Sequence, residues 1–385
     1  MNLLEAVSLP DVDIRNTTFV EVDLDAIRSN ITTLAASTSC AQLVVVKANA
    51  YGHGAVHVSR AAVEAGARML GVATIGEAVE LRRGGIQADL LILGPATPQT
   101  EYFYDREMSQ VIWTKEHVSF CEGMAQAQGI RPKVHVEVDV GMGRFGIKAR
   151  DAVEFIEFVS RRSALDLEGV CAHLSSSDVD DPEVTLSHIE TFAGVVNEID
   201  RRGLRPRIVH CGNSAAAMRF PAGFFDMLRL GIVTYGISPV SFDIPSMKLR
   251  PALSWKSVVL NLQRHAPGDR IGYGGEYVCR SEETIAVIGV GYADGFKRTP
   301  KNVNDVLLAG HRTPVVGRLC MQHCMLRLDD HTQRDVRVGD EVVMLGEQAG
   351  LRIDTVELAK KWNTNDWDVV CGINPLIRRE YKSSL

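Results

Sequence analysis

Short runs of apolar residues recur through the first two thirds of the chain, and most of the intervals between them hold a segment with amphipathic helical spacing. Eight runs stand out, at 43–47, 69–73, 89–93, 109–113, 134–138, 168–173, 207–211 and 227–230. The runs are apolar without alternation, as expected for parallel strands that are covered on both faces. Eight strand and helix units in about 200 residues predict a (β/α)8 barrel of the TIM type, and an open doubly wound sheet is the alternative.

The hydrophobic pattern changes near residue 250. Strand-like segments separated by turns follow, and only residues 354–362 have helical spacing; the segments lie at 253–262, 284–292, 313–319, 325–328 and 340–345. We therefore expect residues 1–250 to form the barrel and residues 251–385 to form a β-strand-rich C-terminal domain. A strand-like segment at 18–24 precedes the barrel pattern, so the first residues are free to join the β domain.

Composition narrows the class of protein. The chain has 385 residues, 45% of them hydrophobic and 23% charged, with a formal net charge of −6 and no block of like charge. These values argue against nucleic-acid and anionic-membrane partners, and no apolar stretch reaches the ~20 residues of a membrane span. Residues 1–16 lack a basic start followed by an apolar run, so we expect a cytoplasmic protein with reduced cysteines. Cys320 and Cys324 lack the second pair that a zinc site needs, and no metal is expected.

Unusual polar residues lie at the C-terminal ends of the predicted strands, where active sites of such barrels form. They are Lys47 after the first strand, Arg144 after the fifth, His173 at the end of the sixth, Asn213 and Ser214 after the seventh, and Arg229 in the eighth. Each has an ordinary structural explanation as well, such as a solvated strand terminator for Lys47 or a helix N-cap for Ser214. Polar residues with unrelated structural roles would lie at both ends of the barrel. Because these residues all lie at one end, they predict an active site there.

Seven segments carry a resemblance to a known family. They are KANAYGHG (47–54), DVGMGRFG (139–146), AHLSSSD (172–178), GNSAAAMR (212–219), FDMLRLGIVTYGISP (225–239), IGVGYADGFKR (288–298) and VGRLCMQHCM (316–325). From about Thr18 to Tyr381 the chain resembles the alanine racemase family of fold-type III enzymes, which depend on pyridoxal 5'-phosphate (PLP). The resemblance implies a racemase that interconverts the L- and D-enantiomers of a small amino acid through two acid/base groups.

The resemblance also implies roles for individual residues. Lys47 is implied as the Schiff-base lysine, and Tyr292 as the second acid/base, which reaches the site of the other subunit in a head-to-tail homodimer. The residues implied around the cofactor are Tyr51, Arg144, His173, Asn213, Ser214, Arg229, Gly231 and Ile232. Those implied beside the substrate are Arg144, Met321, Asn374 and Pro375. The resemblance implies that the arginine at 229 faces the pyridine nitrogen, to which it cannot give its proton because its pKa lies above ~12.

The sequence departs from the family pattern at three places. Glu137 stands where many members have a carbamylated lysine that supports the arginine at 144, and a glutamate supplies a carboxylate on a shorter stem. Gln322 replaces an aspartate. Asn374 or Pro375 falls where the family has a tyrosine that crowds the substrate pocket, so alanine and serine both remain open as substrates.

Two other functions are weighed against the racemase. A PLP-dependent decarboxylase on the same barrel differs in the second domain, and the segment Tyr292-Ala293-Asp294-Gly295 argues against it. A PLP-carrying regulatory protein without catalysis resembles the barrel alone, and residues 251–385 argue against that.

Overall fold

The computed structural model describes residues 17–95, 105, 107–242, 244, 247–299 and 303–384. The expectations for residues 1–16 therefore lie outside the described residues. The chain divides into two compact units. Among the described residues, the barrel unit comprises Val22–Leu253, Asp366–Cys371 and 381–384, and the β unit comprises 17–21, Ser254–Asn365 and Gly372–Glu380.

Eight parallel strands close into a barrel. The described chain begins with strand β1 (Thr18–Asp23), which joins the sheet of the β unit, and helix α1 (Leu24–Thr38). The barrel strands are β2 (Ala41–Val45), β3 (Met69–Val72), β4 (Leu90–Ile92), β5 (Met108–Ile112), β6 (Lys133–Asp139), β8 (Asp166–Ala172), β9 (Ile208–His210) and β10 (Met227–Leu230), with a short β7 (Ile147–Lys148) beside β6. Because β10 pairs with β2 and β5 pairs with β6, the sheet is closed. The barrel prediction is confirmed, and the open-sheet alternative is wrong.

The barrel strands are buried on both faces, which explains their unbroken apolar runs. Alternate strand residues such as Leu43, Val45 and Met227 form a cluster that contains no residue of a surrounding helix, as expected for the barrel interior. Helices cover the other face. They are α3 (Ala55–Glu64), α4 (Ile75–Arg83), α5 (Lys115–Gln128), α6 (Ala149–Ser160), α7 (Glu183–Arg201) and α8 (Ser214–Arg219). The short segment α2 (Lys47–Tyr51) instead follows the C-terminal end of β2, and its Tyr51 packs against the interior cluster.

The β unit contains a second closed sheet. Its strands are β11 (Leu253–His265), β14 (Glu283–Ile288), β15 (Asp305–Leu308), β16 (His311–Val316), β17 (Cys324–Leu328), β18 (Glu341–Gln348), β19 (Leu351–Ile353) and β20 (Arg378–Lys382), and β12 (Arg270–Ile271) pairs with β13 (Tyr277–Val278). The ring runs β11, β14, β17, β16, β15, β18 and back to β11. Helices α9 (Thr332–Asp335) and α10 (Thr355–Trp362) also belong to this unit, whereas α11 (Asp366–Cys371) belongs to the barrel unit.

The core of the β unit is aromatic. Phe296 packs edge-to-face against Trp255 at 5.8 Å and against Trp362 at 5.9 Å between ring centroids. Both indole N–H groups are satisfied, by Thr18 Oγ1 at 3.1 Å and by Asn304 Oδ1 at 2.8 Å. The predicted mainly β C-terminal domain is thus confirmed as a fold class. Across the described ranges, every helix is too short or too polar to cross a membrane.

Candidate active site

A cavity of about 550 Å³ opens in the barrel unit, and polar residues from the C-terminal ends of the barrel strands line it. All of the residues that the sequence suggests for cofactor binding take part in the lining: Lys47, Tyr51, Arg144, His173, Asn213, Ser214, Arg229, Gly231 and Ile232. The barrel thus brings together side chains that are up to 185 residues apart in the sequence (232 − 47). This convergence makes the cavity the candidate active site.

Lys47 is placed by an unusual turn. Strand β2 ends at Val45, two residues earlier than predicted, and Lys47 begins a short segment whose next four residues are left-handed. Ala48 to Tyr51 have φ values of 52°, 53°, 52° and 52°, which is a strained conformation for residues other than glycine. The Glu77 carboxylate holds this turn, since it accepts the backbone N–H of Ala48 at 2.7 Å and that of Ala73 at 2.7 Å.

Two glycines then turn the chain into α3. Gly52 and Gly54 have φ values of 82° and 97°, so both require the freedom that glycine has. A Cβ atom on Gly52 would lie 2.5 Å from the carbonyl oxygen of Val370. The pair of glycines in the motif therefore serves both the sharp turn and a close backbone approach.

The electrostatics of the cavity favour a neutral Lys47 amine. Burial lowers the pKa of Lys47, and the nearby positive charge of Arg144 lowers it further. An amine with a lowered pKa is unprotonated for more of the time near neutral pH, which is the form that attacks a carbonyl group.

Arg229 is fixed by hydrogen bonds on both terminal nitrogens. Nη1 donates to His210 Nδ1 at 2.9 Å, and Nη2 donates to the Ala172 carbonyl at 2.7 Å and to His173 Nδ1 at 3.1 Å. Removal from water and the charge of Arg229 lower the pKa of His173 to about 3, so this imidazole is a neutral acceptor. Every hydrogen bond that Arg229 donates in the described part of the chain leaves from Nη1 or Nη2, so its Nε–H group remains for a ligand in the cavity.

A cradle for an oxyanion forms around Gly231. Its backbone N–H donates to Ser214 Oγ at 2.9 Å, and a Cβ atom on Gly231 would lie 2.7 Å from Tyr51 Oη. Asn213 caps helix α8, because its Oδ1 accepts the N–H of Ala216 at 3.0 Å. The hydroxyl groups of Tyr51 and Ser214 and the backbone N–H group of Gly231 thus meet where only a glycine fits.

Glu137 also lines the cavity, close to Arg144. The charge of Arg144 acts on the Glu137 carboxyl group, but within the described part of the chain the two form no ion pair. The Arg144 guanidinium lies over the Phe145 ring, 5.4 Å from its centroid. Burial raises the pKa of Glu137, against the effect of Arg229 and Arg144. Glu137 therefore supplies a buried carboxyl group to the cavity lining without an ion pair to Arg144 among the described residues.

The remaining predicted site residues belong to the β unit, where the structure brings them together. Tyr292 lies in a 3-10 turn beyond β14, and its N–H donates to the Cys320 carbonyl at 3.2 Å. Ala293 N–H donates to the Met321 carbonyl at 2.9 Å, and Asn374 Nδ2 donates to the Ala293 carbonyl at 2.9 Å. Tyr292, Met321 and Pro375 are exposed. Asn374 therefore ties the C-terminal segment to the turn that carries Tyr292.

Several residues of the site were missed from the sequence. Glu77 supports the Lys47 turn, and its pairing with Thr74 in a capping box was a signal that could have located it. His210 reaches Arg229 from inside the barrel, and Trp367 and Cys371 of α11 line the cavity. No local pattern distinguishes these three from core residues.

Comparisons with known proteins agree with this geometry. The model of the alanine racemase N-terminal domain matches residues 22–239, and that of the alanine racemase C-terminal domain matches residues 252–381. The alanine racemase of Symbiobacterium thermophilum is 39% identical over 96% of this chain and 98% of its own length.

Solved structures give the same result. The alanine racemase of Bacillus anthracis, solved with bound L-Ala-P, superposes with a TM-score of 0.88 at 34% identity over 97% of both chains. A histidine racemase from Leuconostoc mesenteroides superposes with a TM-score of 0.87 at 25% identity, over 96% of this chain and 99% of its own. A barrel with a lysine-bearing cavity, a β-strand-rich second unit and these matches end to end lead to one conclusion: the chain belongs to the alanine racemase family and is an isomerase of the racemase class.

Proposed function

We propose that the protein is a PLP-dependent amino-acid racemase of the cytoplasm that acts on a small amino acid, alanine or serine. The observation that carries the proposal is the cavity in which Lys47, with its lowered pKa, shares a wall with the fixed guanidinium of Arg229 and the cradle at Gly231. The match of both family domains supports a racemase rather than a decarboxylase.

The residues of the cavity fit PLP. Arg144 and Arg229 supply positive charge in the lining, which suits an anionic cofactor. Ser214, Tyr51 and the backbone at Gly231 and Ile232 would hold the phosphate, and Lys47 would hold the cofactor through its amino group. When bound, PLP supplies an electron sink for negative charge at the α-carbon of an amino acid.

Proton transfer requires a group on each face of that carbon. We assign one face to the Lys47 amine, whose lowered pKa suits a base near neutral pH. The phenol of Tyr292, 41% exposed on the β unit, is assigned to the other face. Arg229 keeps its own proton, so its Nε–H group would donate a hydrogen bond to the ring nitrogen of the cofactor without protonating it.

A head-to-tail homodimer completes the proposal. Tyr292 and Met321 are exposed neighbours on the β unit, joined through the Ala293 to Met321 backbone hydrogen bond, and an exposed pair of large side chains suits contact with a second copy. Each site would then combine Lys47 of one subunit with the Tyr292 equivalent of the other.

The experiment that tests the function is direct. The purified protein, loaded with PLP, is incubated with each L-amino acid, and chiral chromatography measures the D-enantiomer. We expect conversion of alanine, of serine, or of both. A protein that binds PLP yet leaves all of these substrates unchanged would contradict the proposal.

A further inference from the structure

A buried chain of hydrogen bonds leads away from the candidate active site through the barrel interior. Arg229 Nη1 bonds to His210 Nδ1 at 2.9 Å, His210 Nε2 to His135 Nδ1 at 2.8 Å, and His135 Nε2 to Glu168 Oε2 at 3.2 Å. The two imidazoles are fully buried, and Glu168 is 5% exposed. Ser109 Oγ donates to the same Glu168 oxygen at 2.5 Å.

The two end groups of this hydrogen-bond chain, Arg229 and Glu168, fix the direction of every hydrogen bond in it. A guanidinium only donates, so His210 Nδ1 must be an acceptor and His210 Nε2 must carry the hydrogen. His135 Nδ1 then accepts, and His135 Nε2–H donates to Glu168. Burial would raise the pKa of Glu168, but hydrogen bonds from His135 and Ser109 lower it to about 2, so this end is an ionised acceptor. Burial lowers the pKa of both histidines, which keeps them neutral.

We propose that Glu168 and His135 are positioning residues: they hold His210 in the one tautomer that accepts from Arg229. The guanidinium is thereby kept in the orientation that leaves its Nε–H group for a ligand in the cavity. This inference rests on the proposed function for one point only, the identification of the ligand as PLP.

Contacts on both sides restrict this chain of hydrogen bonds. A Cβ atom on Gly169 would lie 2.3 Å from His135 Nδ1, so the neighbouring strand residue has room only for hydrogen. The second oxygen of Glu168 accepts Arg207 Nη2 at 3.3 Å, so both carboxylate oxygens have donors. A rotated carboxylate or imidazole would lose these contacts.

The decisive variant is Glu168→Gln. An amide that keeps its oxygen toward Arg207 presents its NH2 group to His135, which must then accept at Nε2 and donate at Nδ1. His210 would accept at Nε2 and carry its hydrogen on Nδ1, facing the donor of Arg229. Two donors cannot share a hydrogen bond, so the tautomer and the contact with Arg229 cannot both survive.

The test uses 15N NMR of histidine-labelled protein without cofactor, together with PLP affinity and steady-state kinetics. We expect His210 Nδ1 to be an unprotonated acceptor in the wild type and to change in Glu168→Gln. We expect PLP affinity and kcat each to fall about tenfold or more, because a buried donor loses its acceptor, with little change in KM.

Two controls separate positioning from general stability. Asp166→Asn makes the same chemical change two residues earlier on β8, at a carboxylate that pairs with Arg207, and should leave the tautomers unaltered. Ser109→Ala removes one donor to Glu168 and keeps the direction of the chain. If Ser109→Ala changed kcat as much as Glu168→Gln, the role would be structural.

The outcomes are distinguishable from failure of the proposed function. A wild-type His210 that carries its hydrogen on Nδ1 would overturn the inference even if no variant folded. So would a Glu168→Gln protein with unchanged imidazole signals and kcat. Absence of racemase activity in the wild type would contradict the proposed function and leave the NMR result standing.

Discussion

At the scale of single residues, the candidate site depends on one amine. We predict that Lys47→Ala abolishes racemisation and the visible absorbance of bound PLP, because no other amine lines the described cavity. Absorbance spectra after dialysis measure the cofactor, and chiral chromatography measures activity. Lys148→Ala, which removes the exposed partner of Asp139, is the matched control and should retain both. A yellow Lys47→Ala protein that borohydride still reduces would refute the assignment.

Two neutral buried histidines predict a dependence of stability on pH. Because burial lowers the pKa of His135 and His210 in the folded protein, the unfolded chain binds more protons below its ordinary histidine pKa of ~6.5. Stability is therefore complete above that pH and falls as the pH drops, by up to ~1.4 kcal/mol per pH unit for each histidine.

Proton uptake on unfolding, measured near pH 5.5, checks this sign. A His135→Gln variant should take up about one proton fewer than the wild type. Equal uptake in the two proteins would mean that His135 is charged in the folded state.

At position 374 or 375 this chain lacks the tyrosine that the family resemblance implies, and its absence predicts a change in substrate preference. Pro375 is exposed where the related enzymes are expected to have a tyrosine, so Pro375→Tyr should fill space and shift the ratio of kcat/KM values from serine toward alanine. A satisfied buried hydroxyl contributes about 1 kcal/mol, which corresponds to a several-fold change in that ratio. The related substitution Leu376→Tyr, one residue further at an 87% exposed position, is the control. An unaltered ratio would place the segment away from the substrate.

At the scale of elements, the strands were predictable and the turn at Lys47 was not. Strands such as β2 and β10 are buried on both faces, so their apolar residues form unbroken runs. The segment Lys47–Tyr51 contains no glycine, so its composition does not predict four consecutive left-handed residues, and the hydrogen bond from Ala48 to Glu77 is a tertiary contact that holds them. The chain from Arg229 to Glu168 was also hidden, because its members meet across strands and not along the sequence.

Substitutions at two glycines, Gly52 and Gly66, test how the turn after Lys47 is held. Gly52 and Gly66 both have positive φ, at 82° and 92°, but a Cβ atom on Gly66 would have no neighbour within 4 Å. Gly66→Ala should therefore show the backbone penalty alone, about 1 kcal/mol. Gly52→Ala adds the clash with Val370, about 1–3 kcal/mol more, and should weaken PLP binding by displacing Lys47. Thermal unfolding and PLP titration measure both effects, and equal losses would show that the approach to Val370 is not restrictive.

At the scale of the whole molecule, the proposed dimer makes the two acid/base groups separable. Mixing Lys47→Ala and Tyr292→Phe subunits should yield mixed dimers with one intact site each. With random pairing about half of the dimers are mixed, so about a quarter of the wild-type activity should return. Tyr292→Phe alone should bind PLP and lose proton transfer on one face. If mixing restored no activity, each site would draw both groups from a single subunit.

The left-handed turn at Ala48 to Tyr51 has a consequence for the handedness of the chain itself. An L-residue with φ near 52° is strained by roughly 1–2 kcal/mol, whereas its mirror image prefers that angle. A semisynthetic chain with D-alanine at positions 48 and 50 should therefore fold with the same turn and a higher stability, although one inverted residue elsewhere in a helix would destabilise it. The backbone of the turn that follows Lys47 therefore favours D-residues, although ribosomes supply only L-residues.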